Sequence, residues 1–211
     1  MCTNFTPTKS VQWFKEKLGV NLPFGYPEES YPGFVAPVIV KSHQTSRVAC
    51  GLARFGLIPA WAKDDKISRH TYNARSETAA DKPSYRAAWR QRQFGLVLCD
   101  DLYEPNYESA RAVRWKIERA DHEPFAIACL WDRWKEPESG QLVVSFSMLT
   151  VNADEHPVMN RFHKPGEEKR TPVIIAPELH QRWLGATVQE AQALMRWEHM
   201  PALMACAAPR N

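Results

Sequence analysis

Residues 112–119 read Ala-Val-Arg-Trp-Lys-Ile-Glu-Arg. Val113, Trp115 and Ile117 alternate there with Arg114, Lys116 and Glu118. Successive side chains of an extended chain point to opposite faces, so this pattern is a half-buried antiparallel strand. Runs of similar composition lie on either side of it. Upstream stand VAPVIVKS (35–42), RVACGLARFGLI (47–58) and FGLVLC (94–99), all rich in Val, Ile, Leu and Phe. Downstream stand FAIACLWDRW (125–134), VVSFSMLTV (143–151) and TPVIIAP (171–177). Short strands in series predict a curved sheet or barrel-like core.

Helical spacing is confined to short stretches. In residues 10–18, Val11, Phe14 and Leu18 share a face, Ser10 is placed to cap and Gly19 to stop. Residues 21–33, rich in Pro and Gly, read as a loop, while 155–162, 177–185 and 187–197 read as helices. The expected fold is therefore α+β, with a mostly antiparallel sheet. The chain has 211 residues, which suits one domain with one sizeable core.

Composition narrows the function classes. The 27 Lys and Arg against 24 Asp and Glu give a net charge of +3, compatible with nucleic acid without demanding it. The five cysteines form no Cys-x-x-Cys pair, so neither a structural zinc site nor a disulfide framework is expected. No cofactor or metal is expected either. The N-terminal MCTNFTPTKS has no basic segment followed by an apolar run, and no stretch approaches the roughly 20 apolar residues of a membrane span. A cytoplasmic protein without a membrane partner is expected.

Cysteine at position 2 is the first chemical signal, because initiator methionine is normally removed before so small a residue. An α-amine titrating at about 7.7–8.0 would then stand beside a thiol at about 8.5. The amine can form a Schiff base with an aldehyde, and the thiol can close a five-membered thiazolidine ring on it. The plain reading is a small buried hydrophobe. In Tyr72-Asn73-Ala74-Arg75-Ser76-Glu77-Thr78, Asn73 can hold an amine or a hydroxyl, and Arg75 carries a fork suited to phosphate. Read plainly, that run is a loop with an Arg75–Glu77 pair. Glu104 follows a strand among aromatics, where lost solvent would raise its pKa; otherwise it is a solvated loop residue. His163 can carry protons near neutral pH. Arg161, Lys164, Lys169 and Arg170 form a basic cluster, either for phosphate or simply solvent-facing. Trp61, after a strand and a proline, is either a stacking platform or a core residue.

In order, Cys2, Phe-Gly-Leu-Ile-Pro-Ala-Trp at 55–61, Asn-Ala-Arg-Ser-Glu-Thr at 73–78 and Tyr-Arg-x-x-Trp at 85–89 are followed by Tyr103-Glu104, His163 and Arg-x-Pro-Val-Ile at 170–174. The set resembles the SRAP (SOS response-associated peptidase-like) family over nearly the whole chain. The resemblance implies one domain over 1–211, with flanking short helices around a twisted barrel-like sheet. It implies an abasic site in single-stranded DNA as partner, a monomer with no obligate protein partner, and covalent capture by Cys2 that shields the lesion. Asn73, Glu104 and His163 would be the other catalytic residues; Arg75, Trp61, Arg170 and Arg86 would bind DNA. Lyase-like cleavage would be a side activity, and the peptidase label would belong with removal of Met1.

Three positions depart from the family pattern. Thr3-Asn4 stands where Gly-Arg is usual, Pro105 where Trp is usual, and the link from His163 to Arg170 is lengthened around Gly166, Glu167 and Glu168. Two other readings stay open. One is a cysteine peptidase with Cys2 as nucleophile, His163 as base and Asn73 as orienter. The other is a non-catalytic single-strand binder using Trp61 and the basic cluster.

Overall fold

The computed structural model describes residues 2–42, 45–109 and 111–210. The described strands and helices run β1 (Asn4–Pro7), α1 (Val11–Leu18), β2 (Val35–Lys41), β3 (Val48–Phe55), β4 (Asn73–Arg75), α2 (Arg86–Arg90), β5 (Phe94–Asn106) and β6 (Val113–Arg119). They continue with β7 (Phe125–Lys135), β8 (Leu142–Asn152), β9 (Arg170–Pro172), β10 (Ile174–Ile175), α3 (His180–Leu184), α4 (Val188–Leu194) and β11 (Leu203–Ala207). β7 pairs with both β8 and β5, and the path β8–β3–β2–β5 completes the ring. Five strands thus close into a barrel, and closure removes the exposed edges of an open sheet. This is the expected α+β fold. Most pairings are antiparallel, but β3 and β4 both run parallel to β8.

β5 organises the molecule. Its first half pairs with β2 and β7 in the barrel wall. Its second half leaves the wall to pair with β1 and β6. Alternation sends its side chains into two cores. Phe94, Leu96 and Leu98, with Ala126, Ala128 and Leu130 of β7, face outward beneath Phe14, Trp89 and Trp183 of the helices. Val97, Cys99, Ile127, Cys129, Phe55 and Phe146 fill the interior with Cys2 and Phe5. Trp183 is fully buried, and its indole N–H donates to the Gly95 carbonyl at 2.9 Å. Truncating it to alanine would cost about 3–5 kcal/mol.

Several local expectations are corrected. Ser10 makes no side-chain cap, and Val11 is half exposed, so α1 is anchored by Phe14 and Leu18 and ended by Gly19 in the left-handed region. Residues 155–162 contain only a single 3-10 turn, Met159–Arg161. The stretch 171–177 is two strands, β9 on β8 and β10 on β7. α4 opens with a capping box between Thr187 and Glu190 but stops at Leu194, where Met195 leaves helical geometry. Among the described residues no helix is long and apolar enough to cross a membrane.

Candidate functional site

Four elements distant in sequence meet where the chain enters β1. Cys2 lies two residues before Asn4, which pairs with Tyr103 of β5. That pairing sets the start of the chain alongside Glu104. β4 is held by its parallel pairing with β8, Asn73 opposite Met148. From there the Asn73 side-chain amide donates to the Cys2 carbonyl at 2.7 Å. The Asn73 carbonyl in turn accepts from the Tyr85 hydroxyl at 3.0 Å, which fixes the strand that carries it.

His163 arrives by another route. Phe162 bridges to Asn106 at the end of β5, and the Asn106 amide donates to the Arg161 carbonyl at 3.2 Å. Phe162 also packs edge-on against Trp115 of β6. The next residue, His163, has φ of +65°, a conformation uncommon outside glycine. Such a residue persists only where its surroundings fix it, and outliers of this kind cluster at functional sites. The turn brings His163 Nε2 to 3.7 Å from the Glu104 carboxylate.

Electrostatics sets the protonation of this cluster. Glu104 is 2% exposed, and its Oε1 accepts no hydrogen bond among the described residues. Burial pushes its pKa from 4.5 up to about 7, so both forms are populated near neutrality. Burial lowers His163 from 6.5 to about 4, leaving the imidazole neutral. The Cys2 thiol is fully buried and donates to the Asn4 carbonyl at 3.4 Å. Burial first, and the neighbouring Glu104 carboxylate second, push it far above the ordinary thiol range. The reactive thiolate near pH 8.5 expected for Cys2 is therefore absent from this geometry, and the sulfur is held as a neutral S–H.

The structure brings Cys2, Asn73, Glu104 and His163 together. The solvated-loop alternative for Glu104 is excluded, since the residue is buried on β5. The expected DNA-contacting residues are spread more widely. Arg75, at the end of β4, is exposed and pairs with Glu168 at 2.6 Å rather than with Glu77. Trp61 is 57% exposed, and its indole donates to the Pro83 carbonyl in the turn that leads to exposed Arg86. Arg170 is only 2% exposed. Its guanidinium donates to Glu77, Glu168 and the Thr150 carbonyl, so it ties β9 to β8 and the loop after β4. The basic cluster is otherwise internally wired. Arg161 pairs with Glu108 at 2.8 Å, and Lys169 Nζ donates to the His163 and Lys164 carbonyls.

Two clefts flank the cluster. One of about 390 Å³ includes His163, Arg161, Asn160 and Lys169. The other, of about 540 Å³, includes Thr3, Asn4, Tyr103, Glu104 and Arg114. Arg114 sits on the polar face of the strand at 112–119, but nothing in the sequence marks it as a site residue. Among the described residues no group of His, Cys, Asp and Glu could hold a metal ion.

Fold and site define a closed-barrel protein whose second residue is a cysteine set among an amide, a carboxylic acid of raised pKa and a neutral imidazole. The chain belongs to the SOS response associated peptidase (SRAP) family, which matches residues 1–208. It is 30% identical over 190 residues to the abasic site processing protein YoqW of Bacillus subtilis, covering 87% of this chain and 80% of that one. It is 27% identical over 165 residues to the abasic site processing protein HMCES of Xenopus tropicalis, covering 68% of this chain and 47%, about half, of that longer protein. A crystal structure of a Bordetella bronchiseptica protein superposes with a TM-score of 0.88 at 29% identity, covering 99% of this chain and 100% of that one. A Bacteroides thetaiotaomicron protein shares the fold, with a TM-score of 0.80 at 21% identity over 100% of this chain and 93% of that one.

Proposed function

We propose that this protein captures abasic sites in single-stranded DNA as a thiazolidine on Cys2, shielding the lesion as part of the response to DNA damage. Met1 lies outside the described residues, and the reaction requires its removal so that the Cys2 nitrogen is a free amine. The observation that carries the reading is the Glu104 carboxyl, buried and poised near pH 7 between Cys2 and His163.

An abasic deoxyribose is mostly a closed hemiacetal. Glu104 in its acid form protonates the ring oxygen as the C1–O bond breaks, and neutral His163 accepts the proton of the C1 hydroxyl. The Cys2 amine adds to the freed aldehyde, and the carbinolamine loses water to give an imine. The Cys2 sulfur then adds to the imine carbon while the S–H proton moves to nitrogen. One water is released in all. Asn73 holds the Cys2 carbonyl throughout and so fixes the direction of the amine. Arg75 and Arg86 are the exposed cations for flanking phosphates and Trp61 the stacking surface, whereas Arg170 holds in place the loop that presents Arg75. Strand cleavage by elimination from the open imine is the expected side reaction.

The peptidase reading is weaker on this geometry. It needs a thiolate paired with an imidazolium, and burial opposes both charges here. A denaturing gel decides. Wild-type protein, with loss of Met1 verified by mass, is expected to give a heat-stable shifted band with single-stranded DNA carrying one abasic site. Intact DNA and a Cys2→Ala variant give none. Absence of the band with wild-type protein sinks the trapping reaction.

A further inference from the structure

The cleft of about 540 Å³ beside Glu104 has a composition that the capture chemistry does not use. Its volume is in the ~300–1,000 Å³ range of small-ligand sites. Glu29, from the loop before β2, sits against it. Glu29 Oε1 accepts from Arg114 at 2.9 Å, and Oε2 accepts from the Tyr31 hydroxyl at 2.6 Å and from Arg210 at 2.5 Å. Asn4 is buried here, donating to Glu29 at 3.2 Å and accepting from Arg114 at 3.0 Å. The Arg114 guanidinium carbon also lies over the Tyr103 ring, 3.4 Å from its centroid, and that of Arg210 lies over Tyr31 at 5.5 Å. Two arginines, each backed by a tyrosine, thus share the Glu29 carboxylate.

That arrangement is an anion site filled by an internal stand-in. A planar carboxylate held in the fork of two guanidiniums mimics a phosphate diester, and stacked aromatic and guanidinium planes suit a nucleobase. We propose that this cleft holds the nucleotide adjoining the abasic residue, its phosphate taking the place of the Glu29 carboxylate between Arg114 and Arg210. Its base lies against the floor formed by the tyrosine rings, Val113 and Pro105. The inference rests on the abasic-DNA reading for the identity of the neighbouring residue, but the binding itself needs no lesion. Because Glu104 lines the cleft, a nucleotide seated there would deliver the next sugar to the Cys2 cluster. Glu29 then acts as a competing counter-ion that the DNA must displace.

Two variants test this by moving affinity in opposite directions. Binding is read by fluorescence anisotropy with an intact single-stranded oligonucleotide across a salt series, and crosslinking with the same oligonucleotide carrying one abasic site. The double variant Arg114→Ala, Arg210→Ala is expected to raise the half-saturating concentration at least tenfold in both assays. It should also make the log–log salt dependence shallower by about 0.7, the slope of the one phosphate held between the two arginines. Glu29→Gln removes the competing charge and is expected to tighten binding at least threefold, which a variant that merely perturbed the fold would not do. Unchanged or weaker binding by Glu29→Gln overturns the proposal even where the double variant does not fold. An unchanged half-saturation and salt slope in a folded double variant overturns it too. If wild-type protein binds as described yet forms no crosslink, the capture chemistry fails while the cleft stands.

Discussion

Replacing Glu104 by Gln should make the folded chain more stable as pH rises relative to wild type, although it removes a site residue. Burial moves the Glu104 carboxyl from 4.5 to about 7. Each tenfold change in proton affinity is worth about 1.36 kcal/mol, so the shift corresponds to about 3 kcal/mol. The sign follows from where protons sit. Between pH 4.5 and 7 the folded chain holds this proton and the unfolded chain has lost it, so unfolding becomes easier as pH rises. His163 opposes this trend. Its folded pKa is lowered from 6.5 to about 4, so between those values the unfolded chain binds the extra proton and stability rises with pH. The ring borders an open cleft, so screening reduces that contribution to about 1–2 kcal/mol. Taken together, these two groups should lower wild-type stability by about 1–2 kcal/mol from about pH 4 to about pH 7. The side-chain amide N–H that Glu104→Gln introduces has no placed acceptor, which subtracts a constant of about 1 kcal/mol at every pH. The difference between variant and wild type should then swing by about 3 kcal/mol in the variant's favour between about pH 4 and about pH 8. Urea titrations followed by tryptophan fluorescence at each pH measure it. A difference that is flat with pH, or that swings toward wild type, refutes a buried carboxyl of raised pKa.

Other perturbations separate scaffold from site. Arg170→Ala leaves the buried Thr150 carbonyl without its guanidinium donor, and Glu77 and Glu168 without their shared partner, and should cost about 1–3 kcal/mol in urea unfolding, more than loss of a surface phosphate contact would. Arg75→Ala should leave stability within about 0.5 kcal/mol and lower the salt dependence of DNA binding, as anisotropy would show. Gly56→Ala should destabilise by more than about 3 kcal/mol in the same unfolding assay. Gly56 has φ of +114°, and an added Cβ would stand 2.4 Å from the Ser68 carbonyl oxygen. Trp61→Ala should not shift the thermal midpoint but should weaken binding to intact single-stranded DNA by about 1–3 kcal/mol if a base stacks there.

The barrel was legible wherever a strand has one apolar face. The runs at 35–42, 47–58, 94–99, 112–119, 125–134 and 143–151 all became strands because alternation and β-branched composition report burial directly. Strands made by their partners were not legible. β5 continues through Asp100 and Asp101 to Asn106 because β1 and β6 hydrogen-bond to it there, not because its sequence changes to favour extension. β1 ends in a proline, and β4 is Asn-Ala-Arg; neither carries a pattern, and each is extended because a neighbour offers a free edge. The short helices failed at their ends for a similar reason. Periodicity marked 187–197, but the chain turns at Met195 so that Trp197 can pack on His156.

The site divides along the same line. Cys2, Asn73, Glu104 and His163 were nameable because their side chains carry chemistry, and the fold that gathers them was not needed to suspect them. The surroundings of the charged neighbours are less legible, because sequence shows a charge but not its counter-charge. Arg170 reads as part of a solvent-facing basic run, yet Glu77, far away in sequence, turns it into a buried strut. Glu29 reads as one acid in a Pro-rich loop, yet it lies between arginines from β6 and from beyond β11. In both cases net charge understates local field. A chain of net charge +3 can still gather positive charge locally, as where Arg114 and Arg210 converge on the Glu29 carboxylate.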